Sequence, residues 1–223
     1  MNDLKILFED EHLIGVVKPY GVLSQGNENT HSLCDDIKEY LRAKGESAQV
    51  YVIHRLDKTT GGVMLFAKTK EVAGKMSTLV QNGDFHKVYY AVVCGEVVHK
   101  TGALADLLYH DKQRNKTYVV KRERKGVKIA KLCYVSHGTA VYKDVPVTKV
   151  EVLLLTGRTH QIRVQFASRK HPLVGDRKYG STIANDTIAL WSHEINFKHP
   201  VTNECVKIIA EPDSDVFCVN FEL

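Results

Sequence analysis

Short apolar runs of strand length follow one another along most of this chain, with little helix between them. That succession limits the fold more than anything else in the sequence. A doubly wound parallel sheet needs a crossover, usually helical, between successive strands. Here Lys5–Glu9 and Leu13–Val17 flank a polar turn, and Lys18-Pro19-Tyr20-Gly21 breaks the second run. Residues 87–93, 147–155, 188–197 and 206–209 are β-rich, and the apolar run Val63–Ala67 reads as a strand. Residues 116–121 and 127–135 read as a hairpin turning near Lys125-Gly126. Helical spacing is confined to three stretches. Leu33, Ile37 and Leu41 recur over 33–43 behind Ser32 as N-cap, and Gly45 acts as a stop. Val72, Met76, Leu79 and Val80 mark the inner face of a helix over 70–81, ended by Asn82-Gly83. Residues 161–169 form the third, with Thr156 or Thr159 as its cap. The expectation is an α+β fold with a largely antiparallel or mixed central sheet flanked by helices and loops.

The 223 residues suffice for a buried core without disulfides. No repeat or Pro/Gly/Ser linker divides them, so residues 1–223 are expected to form a single domain. No apolar run approaches the roughly 20 residues of a membrane span. The first residues carry acids where a signal peptide carries bases, which points to the cytoplasm. Cys34, Cys94, Cys133, Cys205 and Cys218 contain no C-x-x-C pair, which leaves zinc ribbons and redox motifs unsupported. Cys94, Cys133 and Cys218 lie among apolar neighbours and read as reduced core thiols.

Charge is unevenly distributed. Between Lys112 and Lys131 stand nine Lys/Arg and one acid, Glu123, a local +8 in a chain whose net charge is +5. Lys112, Arg114, Lys116, Lys121, Arg122, Arg124 and Lys125 open this patch. It suits a polyanion gripped by phosphate contacts, although a solvated Lys-rich hairpin would look the same.

Three segments carry possible chemistry. In His54-Arg55-Leu56-Asp57-Lys58-Thr59-Thr60-Gly61-Gly62, a polar loop feeds directly into the strand Val63–Ala67. A carboxylate flanked by Arg55 and Lys58 stays ionised and suits a nucleophile or electrostatic stabiliser. Taken alone, Asp57 reads more readily as a turn residue. In Thr156-Gly157-Arg158-Thr159-His160-Gln161-Ile162-Arg163, basic groups crowd the start of a helix, as a surface helix would also allow. His171-Pro172-Leu173-Val174-Gly175-Asp176-Arg177-Lys178-Tyr179-Gly180 is a shaped loop of the kind that positions a ligand.

Together these segments resemble the RluA/RluD-like family of RNA pseudouridine synthases. The family pattern H-R-L-D-x-x-T-S-G-L-L-L-x-A-K is met at residues 54–68, with Gly61 in place of Ser and with Val63 and Met64 in place of Leu. T-G-R-x-H-Q-I-R is intact at 156–163, and H-P-L-x-G-D-x-x-Y-G is intact at 171–180. A K-x-Y-x-A-x-V-x-G strand appears at 87–95, K-P-x-G at 18–21, and F-x-H-P-V-T at 197–202. The ordered set spans nearly the whole chain.

The resemblance implies an isomerase that needs no cofactor or metal. It would cut the glycosidic bond at N1 of a uridine in ribosomal or transfer RNA, turn the base, and join C5 to the same ribose. Asp57 would be the nucleophile, with attack on base or sugar left open. Arg163 would pair with Asp57, and Tyr89 would stack on the target base. Arg55 would enter the space left by the flipped uridine. His54, Arg158, His160 and the 112–125 patch would contact RNA. Some relatives carry an S4-type RNA-binding domain ahead of the catalytic one. Here K-P-x-G is reached at Lys18, so recognition is expected from the catalytic domain itself, as a monomer. Metal binding is unsupported, since the histidines lack H-x-x-x-H spacing. A glycosidase would need two facing carboxylates, and Asp176 in its Gly-rich loop reads as structural. The competing function is a non-catalytic RNA-binding protein on the same fold, against which the presence of Asp57, Tyr89 and Arg163 together argues.

Overall fold

The computed structural model describes residues 4–27 and 29–222. They fall in two compact units, one within residues 4–87 and 192–212 and the other within residues 88–191 and 213–222.

The first unit is built on β1 (Ile6–Glu9), β2 (Leu13–Lys18), β3 (Tyr51–Val52) and β4 (Gly61–Ala67). Antiparallel ladders join β1 to β2, β2 to β4 and β3 to β4. Val63 to Ala67 are fully buried, as expected of a continuous apolar run. Helix α1 (Leu33–Ala43) begins where the N–H and hydroxyl of Ser32 both donate to the Asp35 carboxylate, at 3.1 and 2.8 Å. Leu33, Ile37 and Leu41 form its buried stripe. In α2 (Lys70–Asn82), Thr69 Oγ1 accepts from Val72 N–H and Gly83 ends the helix at φ 87°. Val72 and Met76 are buried as expected, whereas Leu79 and Val80 are only half-buried.

The second unit contains most of β5 (Phe85–Cys94), then β6 (Thr101–Asp111), β7 (Lys116–Val120), β8 (Val127–Tyr142) and β9 (Val145–Leu154). Its strand order is β5-β9-β8-β6-β7, antiparallel throughout. The hairpin expected between residues 116–121 and 127–135 does not form. Both strands exist, but β6 lies between them and pairs with each. The sequence of β6, Thr-Gly-Ala-Leu-Ala-Asp-Leu-Leu-Tyr-His-Asp, is rich in residues with weak strand preference, so its pairing hides from propensity. Helix α3 (Gln161–Ala167) is short and almost wholly buried. The turn η1 (Arg177–Tyr179) follows, and α4 (Asp215–Cys218) lies near the end of the described chain. Strand β10 (Leu190–Lys198) begins in this unit and continues in the first, where it pairs with β11 (Cys205–Ile209).

The α+β, mostly antiparallel expectation is met. The core-thiol reading is not: Cys94 and Cys133 are only half-buried. Cys34 is the buried thiol, at 5 % exposure, and Cys218 is exposed. Among the described residues no helix is long and apolar enough to cross a membrane.

Candidate active site

Asp57 lies in the loop between β3 and β4, half-buried, and its carbonyl accepts Thr60 N–H at 3.0 Å. The chain on either side of it is fastened to residues 18–24. Ser24 Oγ donates to Leu56 carbonyl at 2.8 Å and accepts Leu56 N–H at 3.1 Å. Gly21 N–H donates to Lys58 carbonyl at 2.8 Å. Lys18 is wholly buried, and its ammonium donates to the carbonyls of Pro19 and Val22 at 2.8 Å and Lys58 at 3.4 Å. Burial lowers the Lys18 pKa to about 8, with the Asp57 charge acting in the opposite direction. The K-P-x-G element is thus the clamp of the Asp57 loop. Sequence reasoning found the motif but assigned no task to Lys18 or Ser24.

Two neighbours of Asp57 behave differently. Arg55 is exposed. His54, expected to contact RNA, is 9 % exposed, and its Nε2 accepts Leu65 N–H at 3.2 Å. Its ring lies 5.4 Å from that of Phe85. Burial, assisted by Lys87, pushes its pKa down to about 3, so the ring is neutral. With Nε2 spent on the backbone of β4, the neutral ring braces the loop. Gly62 closes the loop at φ 113°, where a Cβ would stand 2.2 Å from the carbonyl oxygen of Ser192.

In the second unit, Tyr89 sits in β5 opposite Val152 and is 6 % exposed. The loop 171–176 is laid along β5: Cys94 N–H donates to Pro172 carbonyl and Val174 N–H to Val92 carbonyl, both at 2.9 Å. His171 Nδ1 lies 3.0 Å from Cys94 carbonyl. Gly175, at φ 80°, lets the chain pass against Thr187. Asp176 is thereby fixed at 1 % exposure, where it accepts Arg163 Nε at 2.7 Å and Nη2 at 2.9 Å. A two-point carboxylate grip aims a guanidinium as well as balancing its charge. Asp176 is the structural residue the sequence suggested, and its partner is Arg163.

The segment before Arg163 is welded to β8. Gln161 Oε1 accepts Arg158 N–H and Thr156 hydroxyl, and Gln161 Nε2 donates to Lys131 carbonyl at 3.0 Å. The cap of α3 is neither Thr156 nor Thr159 but His160, in the left-handed region at φ 53°. Thr156 is occupied with Lys131, whose N–H it accepts at 2.8 Å. His160 is 8 % exposed, so it too is buried where RNA contact was expected. Arg158 is exposed and donates from Nε to Ile129 carbonyl at 3.0 Å.

The basic patch is an open surface. Lys112, Arg114, Lys121, Arg122, Arg124 and Lys125 are exposed, and Lys116 is half-buried. A groove of about 800 Å³ runs between Tyr109, His110, Lys112, Lys125, Lys128 and Arg158. Arg124 stacks over Tyr109 at 4.6 Å. Cations interleaved with an aromatic face suit a nucleic-acid strand.

Comparison with known proteins gives the class. Residues 12–168 match the family model for RNA pseudouridylate synthase. The chain is 32 % identical to the uncharacterized RNA pseudouridine synthase YhcT of Bacillus subtilis over 216 residues, covering 94 % of this chain and 68 % of that protein. It is also 32 % identical to the dual-specificity RNA pseudouridine synthase RluA of Vibrio parahaemolyticus, covering 87 % and 78 %. The solved human RNA pseudouridylate synthase domain containing 1 shares the fold, at TM-score 0.77 and 23 % identity, over 95 % of this chain and 84 % of that one. The chain belongs to the RNA pseudouridine synthase family, within its RluA/RluD-like branch. It is an isomerase acting on RNA.

Proposed function

We propose that this chain converts specific uridines of ribosomal or transfer RNA to pseudouridine, working as a monomer in the cytoplasm and as one catalytic domain. Asp57 is the nucleophile, Tyr89 stacks on the target base, and Arg163 stabilises charge in the reaction. Arg55 fills the space vacated by the flipped uridine, and Arg158 with the 112–125 patch grips phosphates. His54 and His160, at 9 % and 8 % exposure, complete the RNA-contacting set and brace their own loops.

The clamp on both sides of Asp57, made by Ser24, Gly21 and Lys18, is the observation that carries this reading. A nucleophile must be held in a near-attack position, and a loop with its flanking carbonyls tied to a neighbouring segment does that. A surface turn has no need of a buried lysine. The reading of the RNA class leans on relatives whose names describe them as dual-specificity or as acting on the ribosomal large subunit.

Bulk ribosomal RNA and bulk transfer RNA carrying tritium at uridine C5 separate the possibilities. Forming the C5–C1′ bond expels that tritium, so the pool that releases label is the substrate class. Release from neither pool, with RNA still bound, contradicts the proposed substrates and favours a binding protein.

A further inference from the structure

Tyr179 stands at a junction of the second unit that none of these roles uses. It ends the turn η1, three residues after Asp176. Its hydroxyl accepts Thr117 N–H at 2.8 Å and lies 3.0 Å from His160 Nδ1. The Arg163 guanidinium lies 5.1 Å from the centre of its ring, and Lys116 Nζ lies 5.4 Å from it. Thr117, 1 % exposed, donates in turn from Oγ1 to Thr159 carbonyl at 2.8 Å. One phenol therefore touches the edge strand of the basic patch, the left-handed cap of α3, and the guanidinium held by Asp176.

The chemistry of a phenol suits this position. Its lone pair takes the Thr117 N–H, and its own proton is available to His160 Nδ1. Burial pushes the phenol pKa up, so the O–H persists at any working pH. A non-glycine residue in the left-handed region needs surrounding structure to hold it there, and His160 has the Tyr179 hydroxyl. The two bonds from Asp176 fix the direction of the Arg163 guanidinium. The ring face restrains its tilt.

We propose that Tyr179 is a positioning residue for pseudouridylation, relaying the placement of the basic edge strand to the Arg163 guanidinium through Thr117, His160 and its own ring. The proposal rests on the assignment of Arg163 to the reaction. Tyr179 itself touches no RNA.

The test uses the full chain and the RNA pool that the wild type turns over. Single-turnover tritium release at saturating enzyme, RNA affinity by filter binding, and Tm are measured for Tyr179→Phe, Tyr179→Leu and Arg163→Lys. Tyr179→Phe keeps the ring and loses the hydroxyl; its rate should fall roughly tenfold, with affinity within about threefold of wild type. Tyr179→Leu, which also loses the ring, should fall roughly a hundredfold at similar affinity. If the leucine variant fails to fold, the phenylalanine variant decides alone. Lower Tm with wild-type saturating rates would make Tyr179 a structural residue only and overturn the proposal. Weaker affinity with an unchanged saturating rate would overturn it in favour of a direct part in RNA grip. A wild-type rate in Arg163→Lys would instead remove the assignment beneath it. Impaired Arg163→Lys beside unimpaired Tyr179 variants would sink the relay alone.

Discussion

At residue scale, the Asp57 loop shows why neighbouring glycines are not equivalent. Gly62 adopts φ 113° and faces Ser192 backbone at distances no Cβ tolerates. Gly61, the one non-conservative departure from the family pattern, is not among the positive-φ glycines. Gly62→Ala is therefore expected to cost about 3 kcal/mol or more, read as a lost or strongly lowered unfolding transition. Gly61→Ser should keep activity within roughly tenfold, measured as tritium release; complete loss would show that the loop has been misread. His54 supplies a pH test. Its folded pKa of about 3 lies below the ordinary 6.5, so between these values the unfolded chain binds a proton that the folded chain does not. Its contribution is present above pH 6.5 and is lost as pH falls towards 3. The unfolding free energy of wild type minus His54→Gln should shrink on acidification from pH 7 to 4, in urea titrations. A constant difference would contradict the buried neutral ring. His54 was legible as a motif residue but not in its role, because facing Leu65 N–H is a matter of strand register.

At element scale, the sequence disclosed what depends on local pattern and hid what depends on partner choice. Helix α1 was legible from its stripe and Ser32, and α2 from its stripe and Asn82-Gly83, since these signals lie within one turn of the residues they govern, whereas the Thr69 cap was not read. The pairing of β7 was not, because β6 intervenes from earlier in the chain with a composition that does not announce a strand. The pairing changes the basic patch from a two-stranded hairpin to two loops that meet around the end of β6, where Asp111 pairs with Lys116 and Tyr109 with Val127. Lys112 from one loop and Lys125 from the other line one groove, and Arg124 packs on Tyr109 of β6. Reversing three charges, as in Lys112→Glu with Arg124→Glu and Lys125→Glu, should weaken RNA binding. The slope of log affinity against log salt should flatten by about 2 if three contacts to single-stranded phosphates are lost. An unchanged slope would exclude the patch from the grip.

At the scale of the whole molecule, Asp57 belongs to the first compact unit, and Tyr89 and Arg163 to the second. Each signature is rigidified inside its own unit: Asp57 by residues 18–24, Arg163 by Asp176. Family membership was legible because the motifs are ordered along nearly the entire sequence, and the family match over residues 12–168 agrees. The brackets behind them were not, because Asp176 reaches Arg163, and Ser24 reaches Leu56, only after the chain has folded. The central claim is that isomerisation of uridine depends on the Asp57 carboxylate. The most direct measurement is tritium release from C5-labelled RNA by the wild type beside Asp57→Asn, with RNA affinity followed in parallel. Release by wild type, none detectable from the variant, and affinity within a few-fold is the predicted result. Release by Asp57→Asn at a wild-type rate would contradict it.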